Sequence, residues 1–283
     1  MDQSLLARPF ITKRLVFPES PRWHEGALWF SDLIGGKVFR ADEQGQLTLV
    51  AQYSDWISGI GWWPDGSLCV VGMNDRQMLE RDGDTLVAVA DLTSVARMHS
   101  NDMLVLPNGC AFFGEVGYDV HGGEAPRGAN LVRYTQDRNM TVVAADLGCP
   151  NGMALMPDGK TLLVAETFRD RITAFDMDEE GTLSNRRIWA AMDGHQPDGI
   201  CLDDAGGLWV ACPFTNVLRR VLEGGEVTHQ ITFETLPLAC VYGGENRDTL
   251  YVCTALHPDE ATQSMAGGAI QTVQTGYRGA GYP

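Results

Sequence analysis

Short apolar runs follow tight-turn residues at six places along the chain. His24-Glu25-Gly26 leads into residues 27–30, Pro64-Asp65-Gly66 into 67–70, and Pro107-Asn108-Gly109 into 110–113. Pro157-Asp158-Gly159, Asp204-Ala205-Gly206 and Asn246-Arg247-Asp248 introduce 160–163, 207–210 and 249–252. Measured between Gly26, Gly66, Gly109, Gly159 and Gly206, the spacings are 40, 43, 50 and 47 residues. A period of roughly 40–50 residues is that of a β-propeller blade. Between the turns lie pairs of alternating segments: 37–40 with 47–51, 79–81 with 86–90, 130–134 with 140–145, 171–176 with 187–191, and 217–221 with 227–233. Each pair is split by a Gly, Asp or Asn turn and reads as a hairpin.

Two strands from each turn motif and two from each hairpin predict an all-β, six-bladed β-propeller with four antiparallel strands per blade. No long 3.6-residue period is present, so helix should be scarce. Residues 5–16 and 269–275 are strand-like and predict a last blade built from both ends of the chain, which leaves no open sheet edge. Even spacing makes residues 1–283 one domain rather than two.

Composition narrows the function. The net charge is −16, with lysine only at Lys13, Lys37 and Lys160. Such a chain repels phosphate backbones and anionic membrane surfaces, so neither nucleic acid nor membrane is an expected partner. No apolar run approaches the roughly 18 residues that a membrane span needs. The first residues lack the basic start and apolar core of a signal peptide, which predicts a cytoplasmic protein. Seven cysteines, an odd number without a Cys-x-x-Cys pair, read as buried reduced thiols.

Candidate chemistry lies seven or eight residues before each turn, where the innermost strand of a blade begins. Those positions hold Glu19, Ser58, Asn101, Asn151, Asp198 and, in the last blade, Ala239. Equivalent positions of a propeller converge on one axis. Polar groups packed there must pair or hold an ion. Two carboxylates and two amides are hard oxygen donors suited to Ca²⁺, Mg²⁺ or Mn²⁺. Asn-Gly and Asp-Gly are also common turn dipeptides, so each residue alone could be structural; four at one repeat position favour a site.

The segments Pro18-Glu19-Ser20-Pro21-Arg22-Trp23, His99-Ser100-Asn101-Asp102, Pro150-Asn151-Gly152-Met153 and Pro197-Asp198-Gly199-Ile200 appear in this order. Together they resemble the signatures of the gluconolactonase, senescence-marker-protein (regucalcin) and luciferin-regenerating-enzyme family of six-bladed propellers. The resemblance runs from about residue 15 onward. It implies that Glu19, Asn151 and Asp198 are ligands of one divalent cation, calcium first, with Mg, Mn or Zn as alternatives. It implies further that Asn101 contacts substrate or completes coordination, and that Asp198 is the general base of lactone hydrolysis. Some members carry an arginine two residues before the asparagine, where it serves sugar hydroxyls. His99 stands there in this chain, which implies a pocket less suited to polyhydroxylated lactones.

Strand direction puts the connection after each second strand on the ligand face. The third and sixth, residues 114–129 and 255–267, are long, as loops that shape a site often are. The third carries Glu115, Asp119 and His121, expected with His99 and Asn101 to meet substrate. His195 lies three residues before Asp198 and could shuttle a proton or simply pack in its loop. No His-x-x-x-His zinc pattern and no Gly-x-Ser-x-Gly elbow is present. The expected function is therefore a metal-dependent lactone or ester hydrolase with a small-molecule substrate. Alternatives are a phosphotriesterase-like enzyme, a metal-free strictosidine-synthase-like propeller, which residues 150–167 also resemble, or a non-catalytic calcium-binding propeller.

Overall fold

In a computed structural model, which describes residues 5–120 and 122–283, the chain is an all-β, propeller-like fold. Helix among the described residues is confined to Pro258–Ser264 and two single 3₁₀ turns, Thr167–Arg169 and Pro213–Thr215. Six antiparallel meanders of four strands follow one another. Their first strands are Pro18–His24, Ile57–Trp62, Ser100–Val105, Pro150–Leu155, Ile200–Asp203 and Leu236–Gly243. These six neighbour one another in a closed cycle around the molecule's axis. The outer strand of the last meander is Arg8–Leu15, which pairs with Gly268–Gln274, so the two ends of the chain share one sheet as the sequence predicts.

Hydrogen bonding groups the strands into five sheets rather than six separate ones. The first two meanders are joined by a single parallel pair, Gln52 with Thr85, into an eight-stranded sheet. The fifth gains a short inner strand, Gly279–Ala280, beside Ile200–Asp203. The segment carrying it continues to Leu155, where Tyr282 exchanges two backbone hydrogen bonds.

The core explains why the strands read as unbroken apolar runs. Each meander has a neighbour on both faces, so alternate side chains enter different clusters. Leu162 and Val164 face the third meander, packing with Leu104 and Phe112. Leu163 and Ala165 face the fifth, packing with Ile200 and Val210. Strands covered on both sides lose the polar half of the two-residue period. One cluster fills each interface, including the closing one, where Leu28 and Phe30 meet Val241 and Ile270. All seven cysteines are free and buried. No helix among the described residues is long and apolar enough to cross a membrane.

The inner strands approach the axis closely. A methyl group on Gly152 would lie 2.5 Å from the carbonyl oxygen of Asp198, and one on Gly199 would overlap Ala239. Small residues directly after the candidate ligands therefore let adjacent strands touch. Register breaks in the first strand pairs fall at the same level, between Glu19 and Arg22, Ser100 and Met103, and Pro150 and Met153. A bulge re-aims a side chain from its sheet face, here at the candidate site residues.

Candidate metal centre

The structure brings Glu19, Asn151 and Asp198 together at one end of the inner strands. All three keep some contact with solvent, although protein crowds them. Burial pushes the Asp198 carboxyl up to about 8; repulsion from Asp102 adds to this and a hydrogen bond from Asn151 opposes it. Glu19 is raised well above the usual range by burial, then by repulsion from Asp198 and Asp102. Desolvation and like charge both disfavour ionised carboxylates. The Asn151 amide nitrogen also lies 3.3 Å from Thr167 Oγ1, which in turn donates to the Pro197 carbonyl at 2.8 Å. Thr167 thus ties Asn151 to the residue preceding Asp198. The Asn101 amide nitrogen points back at Pro150 O (3.4 Å) and Cys149 Sγ (3.8 Å).

A recurring carboxylate anchor holds the segments that enter these strands. Asp32 accepts from the backbone N–H groups of Val16 and Phe17, just before Glu19. Glu115 accepts from Arg97 and Met98 at 2.6 and 3.1 Å, just before Asn101, and from Asn130 at 3.0 Å. Glu166 accepts from Gly148 at 2.7 Å, just before Asn151. Each ends the second strand of its meander. Asp198 is set differently: its own N–H donates to Ala211 O at 2.8 Å.

The residues expected to meet substrate divide accordingly. His99 sits immediately before Ser100–Val105, and its carbonyl accepts from Val116 N at 2.9 Å. Glu115 is 2% exposed and its carboxylate accepts from three backbone amides, so it holds the loop in place. We expect Glu115→Gln to lower stability by about 1–3 kcal/mol, the cost of leaving buried donors unmet, with little change in kcat at saturating substrate. Urea unfolding beside kinetics checks this; a raised KM at unchanged stability would return Glu115 to the substrate. Asp119 closes its own loop by accepting from Gly122 N at 2.6 Å, while Tyr118 packs on Phe168 of the next meander. His121 lies outside the described residues. His195 pairs through Nδ1 with Thr215 Oγ1 at 2.7 Å.

Two residues at the centre were not singled out from the sequence. Asp102 stands at the position that is Ser20, Gly59, Gly152, Gly199 or Cys240 in the other first strands. Its Oδ1 accepts from Ser20 Oγ at 2.7 Å, Met103 N at 2.8 Å and Arg22 at 3.2 Å. Arg22 reaches it from the first meander. A carboxylate where neighbours carry small residues was the available signal.

The donor chemistry fits a hard divalent cation. Two crowded carboxylates repel each other beside an amide, and the guanidinium acting on Glu19 is tied to Asp102. Among the described residues, no group of three or more His, Cys, Asp or Glu is arranged to hold a metal. Glu19, Asn151 and Asp198 offer two carboxylates and one amide oxygen. Cavities of about 300 Å³, beside His24, Trp29 and Trp62, and about 700 Å³, beside Leu106, Leu155 and Met177, lie at the opposite, turn-bearing end of the strands.

Comparison with known proteins agrees with this layout. Pentonolactonase XacC of Haloferax volcanii is 29% identical over 273 residues, covering 89% of each chain. The structure of a luciferin-regenerating enzyme superposes with a TM-score of 0.82 at 20% identity, over 99% of both chains. That of a calcium-binding protein, regucalcin, from Agrobacterium tumefaciens strain C58 gives 0.79 at 19% identity, over 98% of this chain and 96% of the other. The family model described as the SMP-30/gluconolactonase/LRE-like region matches residues 17–256. With most of its length matched and its signature residues gathered at one end of the ring, this chain belongs to the SMP-30/gluconolactonase/LRE-like family.

Proposed function

We propose that this protein is a six-bladed propeller hydrolase that opens a lactone or a related ester with one divalent cation held by Glu19, Asn151 and Asp198. The observation that carries the reading is the meeting of two crowded, mutually repelling carboxylates with an amide on the axis. A pentonolactonase among its relatives supports the reaction class, and a calcium-binding protein among its structural neighbours supports calcium. A cytoplasmic setting fits seven unpaired thiols.

When bound, the cation supplies Lewis-acid polarisation of the lactone carbonyl. Asp198 accepts a proton from the attacking water as its oxygen bonds to the carbonyl carbon, a role worth typically about 10²- to 10⁴-fold. The ring C–O bond then breaks, and the proton on Asp198 passes to the departing alkoxide. Asn101, its nitrogen held by Pro150 and Cys149, presents its amide oxygen to substrate.

The test is a lactone panel assayed with metal-stripped protein, with and without Ca²⁺, Mg²⁺, Mn²⁺ or Zn²⁺. Turnover that appears with cation and vanishes with chelator is expected. Tight cation binding without turnover of any lactone would favour a non-catalytic calcium-binding propeller instead. Within the panel, His99 sets the expected preference. Neutral histidine offers one donor where an arginine offers five, so an alkyl or aryl lactone should turn over faster than an aldonolactone of similar size. An aldonolactone preference that disappears in His99→Ala would instead assign His99 to the sugar hydroxyls.

A further inference from the structure

We infer that Arg22 sets the charge of the channel to the value that one divalent cation cancels, and so makes the centre discriminate against triply charged ions. The inference rests on the reading of Glu19, Asn151 and Asp198 as the ligands. Arg22 is only 8% exposed and leaves the first meander to bond the third. Its Nη2 donates to Asp102 Oδ1 at 3.2 Å and to Met103 O at 2.5 Å, and its Nη1 to Pro21 O at 2.9 Å. The planar guanidinium serves three acceptors at once, which an ammonium on a flexible stem matches poorly.

Charge is what this arrangement adds. Asp102 introduces a third carboxylate beside Glu19 and Asp198 at a position where the other first strands carry Ser, Gly or Cys. Its charge acts on both of them, and Arg22 is the basic group acting on Glu19. Once a cation has displaced the protons on its ligands, Glu19, Asp198 and Asp102 against one guanidinium leave two negative charges, the complement of one M²⁺. Without Arg22 the centre would hold three and favour M³⁺. Without the Asp102 charge it would hold one, weakening both ions and M³⁺ more. At an effective dielectric of about 20 and a separation of several ångström, one unit of site charge should change the M³⁺ to M²⁺ affinity ratio by about tenfold or more.

The experiment measures Ca²⁺ and Tb³⁺ affinities by calorimetry, and Tb³⁺ independently by its luminescence, on the metal-stripped full chain. Arg22→Met should raise the Tb³⁺/Ca²⁺ ratio about tenfold over wild type, and Asp102→Asn should lower it by a similar factor. The double variant should return close to the wild-type ratio. A merely structural role for Arg22 predicts that both affinities fall together with the ratio unmoved. A ratio within about twofold of wild type in Arg22→Met and in Asp102→Asn would overturn the inference. If Arg22→Met does not fold, Asp102→Asn decides alone. Wild-type protein that binds neither ion would overturn the reading of the centre itself, whereas wild-type binding with unmoved ratios removes only the role of Arg22.

Discussion

Asp198→Asn should abolish most lactone hydrolysis, lowering kcat by about 10²- to 10⁴-fold at saturating cation, while the protein remains folded. The amide keeps the shape of the side chain but has no basic oxygen to accept a proton from water. It also removes one of the two ligand charges, so cation affinity should fall as well; saturating cation separates that effect from the loss of the base. Stability supplies a control with the opposite sign. In chelator near pH 7, the wild-type chain must keep in place a carboxyl whose ionisation is opposed by burial and by Asp102. Asparagine carries no such penalty, so the variant should melt at the same or a higher temperature. A variant with wild-type kcat at saturating cation would remove Asp198 from the role of base.

Cation binding should be strongly coupled to pH. Asp198, ordinarily near 3.8, is pushed up to about 8 by burial and then by Asp102, and Glu19 is raised as well. At pH 7 Asp198 in the stripped centre is therefore largely protonated, and a cation must displace that proton to reach the oxygens. Affinity should rise from pH 6 to 8 as Asp198 loses its proton. Calorimetry in buffers of different ionisation enthalpy should detect release of about one proton or more per cation at pH 7. The sign for stability follows. Between about 4 and 8 the folded stripped protein holds more protons at Asp198 than the unfolded chain does. This contribution is fully present below the unfolded value and is lost as pH rises through the folded one. Added cation should therefore raise the melting temperature by an amount that grows from pH 5 to 8. A pH-independent gain, with no proton release, would mean that the cation binds elsewhere.

Much of the fold was legible because its signal repeats. The turn followed by an apolar run recurs with a blade-like period, and the candidate ligands recur at one offset from it. The joining of the first two meanders was not legible, since it depends on one pair, Gln52 with Thr85, that leaves no mark on hydrophobic pattern. The candidate site stood out where polarity broke an apolar strand start, as at Glu19, Asn151 and Asp198, which the fold brings together. The role of Glu115 was not legible, because a carboxylate ending a strand looks the same in sequence whether it faces a ligand or backbone amides. Its equivalence with Asp32 and Glu166, each at the end of a second strand, separates the two only when the turns are aligned. Asp102 escaped notice because its neighbour Asn101 matched the repeat, while the rule that the next residue is small became visible only from the contacts of Gly152 and Gly199.

The sheet in which Arg8–Leu15 pairs with Gly268–Gln274 has a consequence for how the molecule is made. Its partners come from opposite ends of the sequence, so the interface that seals Leu28 and Phe30 against Val241 and Ile270 can form only after nearly all of the chain has left the ribosome. Contacts this far apart in sequence make folding slow and expose unpaired strand edges meanwhile. Glu19 belongs to the first meander and Asp198 to the fifth, so the proposed cation centre cannot be complete until the circle is nearly whole. During synthesis, then, a cation can reward only the late, almost closed intermediate, and its scarcity should slow the last step of maturation more than the first.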